Sequence, residues 1–300
     1  MPSPRQIRQR IRSIQSTKQI MRAMQLVSGS KLKRTQGKLF QGRAVMDFLD
    51  GLLQRVLASL EAENTQSKKK AADKLTHPLC VVKNPQAPSA LVFVTSDTGL
   101  CGSYNTNLIH QAEAYLRRDA ARQTKLVFIG KKGHRHFTKR GYAALESHLD
   151  LAGRPNPAKT EAIAKGLIAR FLTGEIASVH LLFSQFQSAT VYKPVLWQWL
   201  PIQLEKQADA KAQAAQEYIF EPTPKRVFED LLPRWAIAKF QLAILEAFTS
   251  EHSARMIAMK NATDNAEGLL KALTLQRNRI RQASITKEIS EIVGTAEALK

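Results

Sequence analysis

The 300-residue chain has only two cysteines, Cys80 and Cys101. That is too few for a disulfide framework, and the two lack the paired spacing of a zinc site, so a reducing compartment is the simplest reading. Long apolar runs are missing as well. Nothing approaches the roughly eighteen residues that a membrane-spanning helix needs, so membrane association has to go through partners or surface charge. Acidic residues are absent from Met1 to Met46, which carries eleven Lys and Arg, and Asp47 is the first carboxylate. Met1 to Lys18, rich in Arg and Ser, has the look of an organellar transit peptide, yet the same pattern continues well past the length such a peptide requires. Proline is missing from both ends: none lies between Pro4 and Pro78, and none follows Pro233.

What is present is a globular composition with a strong positive bias. Hydrophobic residues make up 44% of the chain, and 45 Lys and Arg against 25 Asp and Glu leave a net charge of +20. Such a field favours nucleic acid, anionic lipid or an acidic protein surface, without choosing among them.

The two proline-free ends are periodic. Ile7, Ile11 and Ile14 begin a four-three spacing that continues through Lys18 to Met21, which puts them on one helical stripe. In the last third, Ala262, Ala266, Leu269, Leu273, Gln276, Ile280 and Ala283 keep the same alternation. A second stripe, Ile285, Ile289, Ile292, Ala296 and Leu299, follows out of phase. An uninterrupted helix from Arg234 to Lys300 would reach roughly 100 Å. A helix of that length runs as a coiled coil or projects from its domain, and the two ends are natural partners. Ser28, Gly29 and Ser30 would let the backbones approach closely.

Between the helices the texture changes. A polar, basic stretch from Gln66 to Lys74 and a proline-bearing one from Pro78 to Pro88 mark a boundary. Ala90 to Thr95, Lys125 to Ile129 and Ser178 to Phe183 read as buried strands. Helix-like segments around Asn107 to Arg118 and Pro157 to Leu172 separate them, as in a parallel α/β sheet. Thr190 to Leu200 alternates and suggests a closing hairpin, with Pro194 suited to an edge.

Ser96 to Asn105 (SDTGLCGSYN) follows the first strand and leads into a helix, where α/β folds commonly bind phosphate. The P-loop pattern fails, because Gly102 is followed by Ser103 and Tyr104 instead of Lys and a hydroxyl. The dinucleotide fingerprint fails too, with only Gly99 and Gly102 present. A tight structural turn is the better reading. Cys101 would be a nucleophile only if a His and a carboxylate converged on it, with His134 and His136 as candidates; packing under the turn is the plainer role. Lys131, Lys132, Gly133, His134 and Arg135 open a helix that could bind phosphate or simply face solvent, and His252 is read as structural. Basic helices could also bind nucleic acid, but no aromatic precedes Phe40 to stack on single strands, and no helix-turn-helix spacing is present.

Three segments resemble the gamma subunit of F-type ATP synthases. Ile7 to Arg34 (IRQRIRSIQSTKQIMRAMQLVSGSKLKR) is similar to the family's N-terminal shaft helix, and Thr95 to Asn105 (TSDTGLCGSYN) to its central loop, with Thr98 where an Arg is usual. Ser250 to Leu270 and Asn278 to Leu299 resemble its most characteristic stretch. Gln25 stands where the family often has a charge, and Ser28, Gly29 and Ser30 replace a more Ala-rich run, at some cost in helix propensity. The close cysteine pair of the plastid form is absent.

The resemblance implies an α/β protein in which a long antiparallel N- and C-terminal helical coiled coil flanks a Rossmann-like α/β domain. Its divisions would be residues 1–65, the N-terminal shaft helix; 66–89, a linker; 90–205, the α/β domain; 206–233, a linker and the start of the return helix; and 234–300, the C-terminal shaft helix. It implies a non-catalytic rotor shaft coupling transmembrane proton flow to ATP synthesis or hydrolysis in the alpha/beta head. The expected partners are the alpha and beta subunits, the epsilon subunit and the membrane c-ring, on the cytoplasmic face of a bacterial plasma membrane or an equivalent membrane. Head contacts are expected at Met24, Arg255, Arg281, Gln282, Thr286, Ile292 and Val293, with Lys and Arg meeting an acidic lever of the beta subunit. No cofactor, metal or tight ATP binding by the chain itself is expected. The alternatives are a basic coiled-coil nucleic-acid-binding or scaffold protein, and a small-molecule-binding α/β domain with helical arms.

Overall fold

The computed structural model describes residues 4–66, 77–118, 123–149, 151, 153–204 and 220–298. Most of the polar linker read at Gln66 to Lys74, residues 206–219 and Leu299 lie outside the described residues, as does the side chain of Ala296. The chain forms two compact units, one of Lys31–Ala254 and one of Met1–Ser30 with Arg255–Lys300.

Helix α1 spans Pro4–Gln66. The stripe begun at Ile7 holds its four-three step far beyond the residues that suggested it: Ile7, Ile11, Leu32, Leu39, Met46, Leu53, Val56 and Leu60 are all buried, with Ser28 and Thr35 buried in the same phase. A repeat of 3.5 residues keeps one seam facing a partner helix. That partner is the long C-terminal helix, labelled α5 below, which spans Pro224–Ala298. In the first unit named, a Cβ on Gly42 would lie 3.5 Å from Leu242 and Leu245, Arg43 meets Glu246, and Asp50 meets Trp235. In the second, Gly29 faces Met256 and Lys18 bonds Glu267 at 2.9 Å. Within each unit a step forward along α1 is matched by a step back along α5, so the pair is antiparallel. At Gly42 the space for a methyl group is ordinary van der Waals contact, so Gly42→Ala is expected to raise stability by about 0.5–1 kcal/mol through helix propensity alone. Chemical denaturation of the variant against the parent checks this.

The expected seam of α5 is displaced by one residue on alternate turns. Met259, Thr263 and Ala266 are buried and Leu270, Leu273, Arg277, Ile280 and Ser284 half-buried, while Leu269 is exposed. Ala266, Leu273 and Ile280 belong to both stripes. Leu269 and Leu270 are equally apolar, so a four-three and a three-four reading fit the sequence alike. Helix α5 begins at Pro224, within the stretch 206–233 expected to hold the start of the return helix, and it carries Pro233 inside it. Proline lacks the N–H that would bond the carbonyl four residues back, here Glu229. The His77 ring hydrogen-bonds that carbonyl instead. Its Nδ1 accepts from Leu79 N at 3.1 Å, so the proton it donates sits on Nε2.

That arrangement requires neutral His77, and burial lowers its pKa. Between the lowered folded value and the ordinary value near 6.5 the unfolded chain binds more protons, so stability is full above about pH 6.5 and is lost as pH falls through the window. His77→Ala is expected to flatten this part of the stability profile, which thermal melts across that range would show.

The remaining elements are β1 (Ser89–Val94), α2 (Tyr104–Arg118), β2 (Lys125–Ile129), α3 (Lys131–Thr138), β3 (Ala144–His148), α4 (Pro157–Thr173), β4 (Ser178–Phe186) and β5 (Tyr192–Leu200). One sheet orders them β3-β2-β1-β4-β5. All pairs are parallel except β4 with β5. The expected closing hairpin is therefore present, and Pro194 lies on the edge strand β5. All six residues of β1 are buried, which is why it reads as a continuous apolar run. Asn156 caps α4 through its side chain and Pro157 opens it, while Gly174 at φ 82 ends it. β3 has no counterpart among the strands read from sequence.

Candidate functional site

In the strand order β3-β2-β1-β4-β5 the chain reverses direction across the sheet between β1 and β4, and open α/β sheets bind ligands beyond the carboxyl ends of such strands. The loop Ser96 to Asn105 lies there. It turns on Leu100 at φ 61 and Gly102 at φ 59. Ser96 Oγ donates to Thr98 O at 2.7 Å, Ser96 N donates to Asn105 Oδ1 at 3.1 Å, and Asn105 Nδ2 donates to Cys101 Sγ at 3.1 Å. Cys101 is buried beneath this turn. His134 stacks edge-on against Phe128. His136 bonds Glu113 at 2.9 Å, and that hydrogen bond holds the Glu113 carboxyl below the usual carboxylate range. The two histidines are engaged elsewhere, and Cys101 keeps the packing role.

The amides that open α3 are also taken by the protein itself. Lys131 N donates to Asp97 Oδ1 at 2.9 Å, Lys132 N to Ser96 O at 3.0 Å, and Gly133 N to Thr95 Oγ1 at 2.9 Å. A phosphate at a helix N-terminus needs such donors free. Here a carboxylate stands in the place an anion would take.

The crevice is filled from the β4 side by α5. β1 pairs with β4 only as far as Leu182, so Ser184 to Phe186 outrun it. Ser250 Oγ donates to Ser184 O at 2.9 Å, Glu246 Oε2 accepts from Phe186 N at 2.8 Å, and Ser253 Oγ donates to Ala189 O. Tyr104 Oη donates to Ala247 O at 3.0 Å. Ala254 packs with Leu91, Phe93, Cys101 and Tyr104 in one buried cluster. A helix face thus occupies the groove that other folds of this topology leave for a ligand.

Glu246 has a second partner. Arg43 of α1 donates through Nε to Oε1 at 2.8 Å and through Nη2 to Oε2 at 3.0 Å, and Nη2 also donates to Phe186 O. Burial pushes the Glu246 carboxyl above the ordinary range, while the Phe186 amide and Arg43 pull against it. With donors on every side and no acceptor among these partners, the geometry suits the ionised form. Sequence reasoning missed Arg43, Glu246, Ser250 and Ser253. One signal was available: Glu246 is the only charge in the apolar run Phe240 to Phe248, and a buried carboxylate needs a partner.

The residues expected to contact a head lie mostly at the surface of the other unit. Met24 is half-buried, and Arg281, Gln282 and Thr286 are exposed, with Thr286 Oγ1 donating to Gln282 O at 3.0 Å. Ile292 and Val293 are 67% and 57% exposed, and Ile285 and Ile289 are exposed with them. Arg255 differs, being buried. Among the described residues no group of His, Cys, Asp and Glu could hold a metal ion, and no helix is long and apolar enough to cross a membrane.

The family model for ATP synthase matches residues 3–299. The ATP synthase gamma chain of Anaeromyxobacter sp. (strain Fw109-5) is 41% identical over 305 residues, covering all of both chains. That of Pelotomaculum thermopropionicum is 38% identical over 301 residues, again covering both completely. Among solved structures, a chain of the Tetrahymena thermophila mitochondrial ATP synthase central stalk and c-ring superposes with a TM-score of 0.58 at 24% identity, over 81% of this chain and 99% of that one. A chain of the Euglena gracilis mitochondrial ATP synthase (OSCP, F1 and c-ring, rotational state 3) superposes with a TM-score of 0.64 at 17% identity, over 99% and 94%.

Proposed function

The chain belongs to the ATP synthase gamma-chain family, and from that premise we propose that it is the non-catalytic rotor subunit that couples a membrane rotor ring to the catalytic alpha/beta head. It is a peripheral component of the complex. Its partners are the alpha and beta subunits, the epsilon subunit and the c-ring. Proton flow turns the ring, the helical pair turns with it, and each catalytic site of the head is driven through binding, synthesis and release; hydrolysis runs the cycle in reverse.

The observation that carries this reading is the end of α5. Ile285, Ile289, Ile292 and Val293 leave a run of large apolar side chains exposed on a helix that already has a buried seam for α1. An exposed apolar band of this kind marks an interaction surface, and a smooth one suits a shaft turning inside a sleeve. Head contacts at Met24, Arg281, Gln282, Thr286, Ile292 and Val293 belong to the proposal. Arg255 belongs to it through the packing of the pair, given its burial. Apart from Lys18 and Arg43, which pair with Glu267 and Glu246, the Lys and Arg of Met1 to Met46, a segment without acids of its own, supply an attractive field for an acidic surface that must slide past.

The test is co-purification of the tagged chain from its native membranes. Recovery with alpha and beta subunits and ATPase activity is the expected result. Recovery with nucleic acid and without head subunits would overturn it in favour of a basic coiled-coil binder.

A further inference from the structure

We infer that the polar seam centred on Glu246 is the joint through which the α/β sheet drives the two long helices, with Arg43, Glu246, Ser250 and Ser253 as its positioning residues. The inference rests on the rotor reading and assigns the place where torque passes from sheet to shaft within the chain.

The argument starts from the sheet. β4 outruns β1 by three residues, so its backbone groups from Ser184 onward lack a strand partner on the β1 side. Unpaired backbone groups at a buried edge must be satisfied. Here Glu246 and Ser250 satisfy Phe186 N and Ser184 O, and Ser253 takes Ala189 O. Glu246, Ser250 and Ser253 are spaced four and three apart, which places them on one face of α5. The helix replaces the missing strand. Arg43 then brings α1 into the same node, bonding both oxygens of Glu246 and the carbonyl of Phe186. Two indoles extend the seam: Trp199 of β5 donates to Ala236 O at 2.9 Å, and Trp235 of α5 donates to Asp50 of α1 at 2.5 Å.

Why a seam of this kind would carry torque follows from the two sorts of contact available. Burial of apolar surface is non-directional, so greasy faces slide at little cost until area is lost. Hydrogen bonds weaken steeply with distance and angle. A shift of α5 by one residue moves its side chains about 1.5 Å along the axis, enough to break every bond of the seam together. The strongest point is charge-assisted and forked, and it joins three elements at one carboxylate.

The experiment uses the whole complex, purified through the tagged chain and reconstituted into vesicles, with ATP hydrolysis and ATP-driven membrane potential read in the same sample. Glu246→Gln keeps shape and one acceptor but removes the charge. It is expected to lower the potential built per ATP hydrolysed by about tenfold or more, the effect of losing one hydrogen bond to a charged group. Ser250→Ala with Ser253→Ala should lower it less, and decides the matter if Glu246→Gln fails to assemble. Leu167→Ala, a core truncation in α4, weakens the fold without touching the seam and should leave the ratio unchanged. An unchanged ratio in the seam variants, or an equal fall in Leu167→Ala, overturns the inference alone. A tagged wild-type chain recovered without head subunits, or a wild-type complex that hydrolyses ATP without building potential, overturns the rotor reading itself.

Discussion

Replacing Gly130 by alanine is expected to destabilise the α/β unit by about 3–5 kcal/mol, the sum of backbone strain and an overpacked contact. Gly130 joins β2 to α3 at φ 102 and ψ 147, in a region that only glycine populates freely. Its amide bonds His148 O at 3.1 Å, and the adjoining Thr95 amide bonds Ile129 O at 2.8 Å, so β1, β2 and β3 are tied together around it. A Cβ there would stand 2.1 Å from the Thr95 carbonyl oxygen and 2.8 Å from its carbon. Backbone cannot swing aside as a long side chain can. Gly141 provides the control, because it too has positive φ, at 83, yet a Cβ there meets nothing within 4 Å. Gly141→Ala should therefore cost about 1 kcal/mol of strain and no more. Equal losses for the two variants in urea denaturation would mean that the contact with Thr95 contributes nothing.

How far the fold can be read from residues alone depends on which side of each element is covered. The seam of α1 is legible because its phase is kept for the length of the helix, and a strict four-three repeat has one solution. In α5 the phase slips because Leu269 and Leu270 are interchangeable in polarity, and only the packing of the pair places Leu270 inward and Leu269 in solvent. After their first residues, Ser89 and Lys125, β1 and β2 are apolar because both faces are covered. β3 is hidden for the opposite reason: Ala144 to His148 forms a sheet edge, its residues are half-buried or exposed, and Glu146 and His148 satisfy one another at 3.1 Å. Such a strand has neither an apolar run nor clean alternation. The exact start of α5 within 206–233 is not legible because the effect of Pro233 depends on His77, distant in sequence, which replaces the hydrogen bond that proline cannot make.

The central loop shows the same limit from the side of function. Its position after β1 invites a ligand reading, and its lack of the P-loop lysine after Gly102 and of the dinucleotide glycines argues against one. The reason for the lack is visible only in three dimensions: the donors of α3 are spent on Asp97, Ser96 and Thr95, and α5 fills the crevice. The fold has turned a ligand groove into a helix seat. Tertiary pairing of Glu246 with Arg43 could be suspected from a lone charge in an apolar run, but the partner could not be chosen among eleven basic residues near the start of the chain.

Arg43→Met is expected to cost about 3 kcal/mol at neutral pH, the low end for breaking a buried ion pair, since Arg43 itself keeps partial contact with solvent. Methionine retains most of the packing volume, so the loss falls on Glu246, which is left with the Phe186 amide as its donor at this node. The pH dependence separates this from a packing effect. Burial already raises the Glu246 pKa, and removal of the guanidinium raises it further. A carboxyl whose folded pKa lies above its unfolded value binds more protons in the native state, so its unfavourable contribution is absent at pH below the usual carboxylate range and grows as pH rises toward the folded value. The variant should thus lose more stability at neutral pH than in mild acid, relative to the parent at each pH. Arg43→Met combined with Glu246→Gln removes the titrating group and should erase that extra pH dependence, even if some stability stays lost at Phe186. Thermal melts of the parent, the single variant and the double variant across the acid-to-neutral range decide it, and a loss in Arg43→Met that is the same at every pH would mean that the arginine acts by packing and that Glu246 carries no charge at the seam.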